Sequence, residues 1–308
     1  MAKEYNANAN ANANANAHIT SVSVPTPPII TTAAAPANIF TIWQAQEAER
    51  NIKMLVYGAS GVGKTYLAAT AQDCTSLRDV LYIDAEAGSA TLLNAGKADM
   101  DIVNVQNWQQ LVKVYEFLYQ FCRLRDDKNV TEAKMRKFLS SFGLGERKIL
   151  PNYKTVIIDT VDEIQDYCMK SVQGINPQSA QLNLAYIKPG WPEYGEVLER
   201  MRLLVRNFRN LPLHVVMTCH QEIKQDENQR MLIAPSLVGK FAVVAQAYFD
   251  FVAYYVAKTQ NTEQGPVTKR RLYIAPGTNF AAKNRCNAEQ GWVDNPTMEK
   301  ILNLLNKT

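Results

Sequence analysis

Gly58-Ala59-Ser60-Gly61-Val62-Gly63-Lys64-Thr65 has the residue types and the spacing to hold a polyphosphate. Its glycines let the chain curl so that successive N–H groups point inward at phosphate oxygens, helped by the N-terminus of the helix that follows. Lys64 supplies a point charge for the β- and γ-phosphates, and the Thr65 hydroxyl is the natural ligand for Mg²⁺. All eight residues, Gly58 to Thr65, are therefore expected against a nucleoside triphosphate. A second acid must complete the metal site, and Asp159 ends the apolar run Val156-Ile157-Ile158 at the right place to hold the cation through water. Thr160 is expected to hydrogen-bond nearby.

Hydrolysis also needs an oriented water. Glu86 follows Val80-Leu-Tyr-Ile-Asp84-Ala85, past the end of another strand, where a carboxylate can take a proton from the attacking water. Asp162 and Glu163 are rivals for that role. They fall on the first turn of the next helix, where an acid also serves as a cap. His220 and Gln221 end a further apolar run and are placed to register whether the γ-phosphate is present.

These groups need a scaffold that brings strand ends together. Strand-length apolar runs occur at Met54–Tyr57, Val80–Ile83, Ile102–Val105, Val156–Ile158 and His214–Thr218. Between them lie helical stretches at Lys64–Gln72, Trp108–Arg123, Asp162–Val172 and Glu193–Asn207. Strands apolar on both faces and alternating with helices predict an α/β fold with a mostly parallel central sheet covered on both sides. Phe249–Ala257 and Lys269–Ile274, joined by a polar turn over Thr259–Pro266, predict a C-terminal antiparallel hairpin extending the sheet, and Pro296–Leu305 predicts a closing helix.

Residues 1–37 begin with alternating Asn and Ala and continue rich in Pro, Thr, Val and Ala, with no periodicity that could bury a face. They are expected to be a disordered tail ahead of one domain over 38–308. Phe40, Ile42 and Trp43 are either core residues or the anchors of a self-association arm. The net charge of +4 is mild, so any nucleic-acid contact must come from local clusters. Five scattered cysteines with no CxxC pair argue against a disulfide framework or a zinc site. The absence of a long apolar run or a signal peptide predicts a cytoplasmic protein with no membrane contact.

GASGVGKT, YIDAE, VIIDT, MTCHQE and the late AAKNR together resemble the RecA-like P-loop ATPases, and in particular the phage RecA-like nucleotide-binding proteins linked to single-strand annealing and recombination. The resemblance covers about residues 50–290. It implies ATP as the nucleotide, Mg²⁺ as the metal, and Glu86 as the catalytic carboxylate. It further implies that His220 and Gln221 couple the γ-phosphate to a DNA-facing loop over Glu222 to about Lys240. Lys283 and Arg285 would reach the phosphates of a neighbouring subunit, in a homo-oligomer with nucleotide at its interfaces. The implied setting is phage-type recombination, annealing or repair on single-stranded DNA, in the host cytoplasm if the protein is phage-encoded. The long DNA-binding and polymerisation modules of full recombinases are not evident.

Basic clusters are suggestive of a nucleic-acid partner, but a charge run is usually a solvated face, and it is the resemblance that tips the reading towards DNA. Arg200, Arg202, Arg206 and Arg209 fall within ten residues, Lys269, Arg270 and Arg271 sit on the hairpin, and Lys224, Arg230 and Lys240 flank the loop, where Glu222, Asp226 and Glu227 dilute them. The competing functions are a helicase, loader or packaging motor and a P-loop small-molecule kinase. The kinase is disfavoured because no Arg-rich lid is visible, and no Asn-Lys-x-Asp motif marks a GTPase.

Overall fold

The structure is a computed structural model that describes residues 51–175, 188–225, 229–239, 241–263, 265–286 and 290–306. Residues 1–37 and the candidate anchors Phe40, Ile42 and Trp43 lie outside the described residues, as do Asp226, Glu227 and Lys240.

The phosphate loop hangs between strand β1 (Lys53–Gly58) and helix α1 (Lys64–Ala69). Three more strands end at the same edge: β2 (Val80–Asp84), β4 (Thr155–Asp159) and β5 (His214–Gln225), with β3 (Asp101–Asn104) outermost. The order β1-β5-β4-β2-β3 is parallel throughout. Every residue of β4 is buried, as a central strand covered on both faces requires. On the other side of β1 lie β7 (Phe251–Thr262), parallel to it, then β8 (Gly265–Tyr273) and β10 (Trp292–Asp294), both antiparallel to their neighbours. The expected mostly parallel sheet with an antiparallel C-terminal extension is the fold observed.

Period-two alternation divides each strand between two cores. Leu55 and Tyr57 face α3 (Trp108–Asp126), α5 (Val161–Val172) and α6 (Trp191–Arg209), whereas Met54 and Val56 face α1 and α8 (Met298–Asn306). Caps set where several helices begin. The Asn107 side chain accepts from the Gln110 N–H at 2.9 Å, and Glu193 accepts from the Gly190 N–H at 2.9 Å with Pro192 in the first turn of α6.

Several expectations need correction. The polar stretch Thr259–Pro266 is not a long turn. β7 and β8 stay paired to Thr262↔Gly265, because the hairpin turns where Gly265 supplies φ 110°. Within 222–240, the described residues 222–225 and 231–235 are paired strands. β5 continues to Gln225 and pairs antiparallel with β6 (Met231–Pro235). α2 (Ala90–Asn94) and α4 (Glu132–Ser140) were not anticipated.

At the opposite edge of the sheet, His214 accepts a hydrogen bond at Nδ1 from the Ile52 N–H (3.0 Å). Burial, reinforced by Lys53 and Lys154, holds its pKa down at about 4. An unfolded histidine titrates near 6.5, so the unfolded state binds the proton first. This contribution is complete above about pH 6.5 and is lost as the pH falls towards 4. Stability measured in urea should drop by about 1–2 kcal/mol between pH 7 and pH 5, and His214→Gln should flatten that drop.

Candidate functional site

Register alone assembles the site. Gly58 is level with His220 across β1 and β5, and Asp84 is level with Asp159 across β2 and β4. Strands in a parallel sheet present their carboxyl ends to one crevice, so these side chains converge there although they are distant in sequence.

Gly58 is required by proximity: a Cβ there would sit 2.4 Å from the Tyr255 carbonyl oxygen of β7. Gly61 and Gly63 have φ of 72° and 103°, the left-handed region that suits glycine. Lys64 is buried, and its ammonium donates to the Gly58 and Ala59 carbonyls at 3.2 and 3.0 Å. The lysine thus holds the loop in shape across the space that phosphate oxygens would enter. Burial lowers its pKa, opposed by Asp159, Glu86 and Asp162, the carboxylates that share the crevice.

Asp159 is only 1% exposed and accepts three hydroxyl hydrogen bonds: from Thr65 at 2.6 Å, from Tyr82, and from Thr218. Tyr82 and Thr218 look like ordinary strand residues in the sequence, yet they lock the rotamer of the metal candidate. Thr65 Oγ1 and Asp159 Oδ2 are hard oxygen donors side by side. Among the described residues no cluster of three or more His, Cys, Asp or Glu could hold a metal by itself. A cation here would complete its shell from phosphate and water, which is the habit of Mg²⁺, so the residues present fit that ion. Thr160 departs from expectation: its hydroxyl is buried without a partner among the described residues.

Glu86 stands on a turn shaped by Asp84, whose carboxylate accepts from the Gly88 and Ser89 N–H groups, each at 3.0 Å. Tyr167 of α5 donates to the Ala85 carbonyl at 2.8 Å and secures the same turn. Asp162, an acid in the first turn of α5, is bonded to His220. It accepts from the His220 N–H at 3.0 Å and bonds His220 Nδ1 at 2.7 Å. The far ring nitrogen, Nε2, lies 3.5 Å from Glu86 Oε1. Asp162, His220 and Glu86 therefore form one chain of contacts along the crevice. Burial raises the Glu86 pKa; His220 and Lys64 oppose that rise, and Asp159 and Asp162 add to it. Glu163 has its own pKa raised by burial and hydrogen-bonds Tyr167 on α5.

Gln221 lies inside the β5–β6 ladder opposite Pro235. Lys283 and Arg285 do not join the crevice of their own chain. β9 (Lys283–Asn284) runs antiparallel along the start of β7, towards the opposite edge of the sheet. There Lys283 donates to the Gln246 carbonyl at 3.0 Å, and Arg285 to the Ala247 carbonyl at 2.9 Å, with Asp250 at 3.4 Å. Arg270, read as part of a basic run, instead reaches the phosphate loop, with Nε 3.4 Å from the Val62 carbonyl.

Residues 50–286 match the family model described as AAA domain. The chain belongs to the AAA domain family. This AAA domain is thereby placed among P-loop ATPases, which bind ATP with Mg²⁺. No curated protein matches the chain. Among solved structures, the crystal structure of the RadB recombinase is similar at 13% identity and a TM-score of 0.38, covering 79% of this chain and 86% of that one. A likeness that distant says nothing of what this AAA domain binds. Among its described residues no helix is long and apolar enough to cross a membrane.

Proposed function

We propose that the chain binds and hydrolyses ATP and assembles on single-stranded DNA, in phage-type recombination, annealing or repair. The observation that carries the hydrolytic part is the contact of Glu86 with a His220 ring that Asp162 holds level with the phosphate loop. In this reading the N–H groups of Gly58 to Thr65, with Lys64, bind the phosphates. Thr65 and Asp159 hold Mg²⁺, which would offset charge on the phosphate oxygens. Glu86 takes a proton from the attacking water as the new bond to the γ-phosphorus forms and the bond to the β–γ bridging oxygen breaks, releasing ADP and phosphate. His220 orients Glu86 and, with Gln221, passes the state of the site to the β5–β6 hairpin.

The DNA part rests on the sequence resemblance together with the two hairpins that run beyond the carboxyl edge. Lys283 and Arg285 act in trans in this reading, leaving their bonds to Gln246, Ala247 and Asp250 for the phosphates of a neighbouring subunit. ATP turnover is expected to rise at least about fivefold with single-stranded DNA and less with duplex. Equal turnover under all three conditions would remove DNA from the proposal.

A further inference from the structure

We propose that one face of the β7–β8–β10 extension is the surface on which a single nucleic-acid strand lies, an inference that rests on single strands being the partner. Three cross-strand rows with aromatic or basic members follow from register. Tyr57, Tyr254, Tyr273 and Trp292 are direct cross-strand neighbours through β1, β7, β8 and β10, so their side chains share a face. The rings of Tyr57 and Tyr254 stack at 5.2 Å, and Phe280 packs on Tyr254 and Tyr273 at 5.1 and 4.9 Å. This leaves Trp292, 38% exposed, as the outer ring of the row, with the Arg271 guanidinium 4.9 Å from its centre.

Two residues further along the strands the same face carries Val256 opposite Arg271, and beyond them Lys258 directly opposite Lys269. Both lysines are exposed, and among the described residues neither has an ion-pair partner. Like charges placed directly opposite disfavour the hairpin, and a bound anion relieves that cost. These side chains border a cleft of about 550 Å³, lined on this face by Lys258, Lys269 and Arg271 against the carboxylate of Asp294. β7 runs from Tyr254, level with Tyr57, to Thr262, so the face extends ~26 Å beyond that row.

One exposed ring, Trp292, at the edge of a packed aromatic row and beside a track of cations fits a strand in which an unstacked base meets that ring and the phosphates follow the lysines. Duplex DNA buries its base faces and would use only the cations. Several cations of the other basic clusters are paired, as Arg271 is with Asp294 at 2.7 Å. Arg200 pairs with Glu196, Arg202 with Glu199, and Lys224 with Glu222, at 2.5–2.7 Å.

The test uses the full chain and a labelled oligothymidylate of about 20 nucleotides. Lys258→Glu combined with Lys269→Glu should weaken binding about tenfold or more and lower the salt-dependence slope by about 1.4, the value for two phosphate contacts on a single strand. The oligonucleotide should quench tryptophan fluorescence in the wild type, and Trp292→Phe should remove that quenching. Because the double variant can misfold, acetylation of the wild type gives an independent reading: Lys258 and Lys269 should be protected when the oligonucleotide is bound. Unchanged affinity and slope with no protection would overturn this surface while leaving single-strand binding intact. Failure of the wild type to bind any single strand would overturn the surface and the functional reading together. Duplex of equal length bound as tightly, without quenching, would overturn the single-strand assignment.

Discussion

Replacing Glu86 by Gln should lower ATP turnover by about 10²–10⁴-fold while nucleotide still binds. The amide keeps the size of the side chain and its contact with His220 but cannot accept the proton of the attacking water. The pH profile should change as well. Burial holds the Glu86 carboxyl above the usual carboxylate range, so the acid limb of the wild-type profile should lie above about 4.3, the ordinary glutamate value. Activity depends on the ionised base, so it is retained above that limb and lost as pH falls through it. The limb should vanish in the variant. Fluorescent-nucleotide binding and phosphate release, measured from pH 5 to 8, separate the two effects. Normal turnover in Glu86→Gln would transfer the role, with Glu163 next in line.

Asp159→Asn should damage both stability and catalysis. Oδ2 of Asp159 accepts from Thr65 and Tyr82, and Oδ1 from Thr218, in a site with almost no exposure. An amide nitrogen in place of one oxygen donates rather than accepts, so hydroxyls facing it must turn round or go unpaired. Leaving a buried polar group unpaired costs about 1–3 kcal/mol, which in a domain of this size lowers the melting temperature by roughly 2–10 °C. The same exchange removes the charge expected to hold Mg²⁺, and turnover should fall to about 1% or less. Melting without Mg²⁺ and phosphate release across a Mg²⁺ titration read the two losses separately. Full turnover at ordinary Mg²⁺ would take Asp159 out of the metal site.

The parts of the site that are local in the chain were legible in the sequence. The loop Gly58–Thr65 carries its glycines, lysine and threonine in one run, and Asp159 ends an unbroken apolar strand, so each announces itself. What depends on strand adjacency was not legible. Asp162 and His220 are separated by 58 positions and meet because β4 and β5 are neighbours, so an acid readable as a helix cap became a clamp on a histidine. Tyr82 and Thr218 fit a buried strand by pattern, and nothing local shows that their hydroxyls converge on Asp159. Charge runs misled for the same reason. Lys269, Arg270 and Arg271 read as one basic patch, but alternation along β8 sends Arg270 to the phosphate loop and its neighbours to the other face. The hairpins were underestimated because Thr, Gln and Asn suggest a turn, whereas cross-strand pairing accepts them readily at exposed positions.

The central claim, that this crevice hydrolyses ATP, is tested most directly by phosphate release from Mg²⁺–ATP by the wild type and by Lys64→Ala, purified identically. Among the described residues Lys64 is the one buried cation, bonded to the Gly58 and Ala59 carbonyls of the loop. The account predicts steady release by the wild type and release at least about 100-fold slower by Lys64→Ala. Equal rates in the two proteins, or no release by the wild type with or without single-stranded DNA, would contradict it.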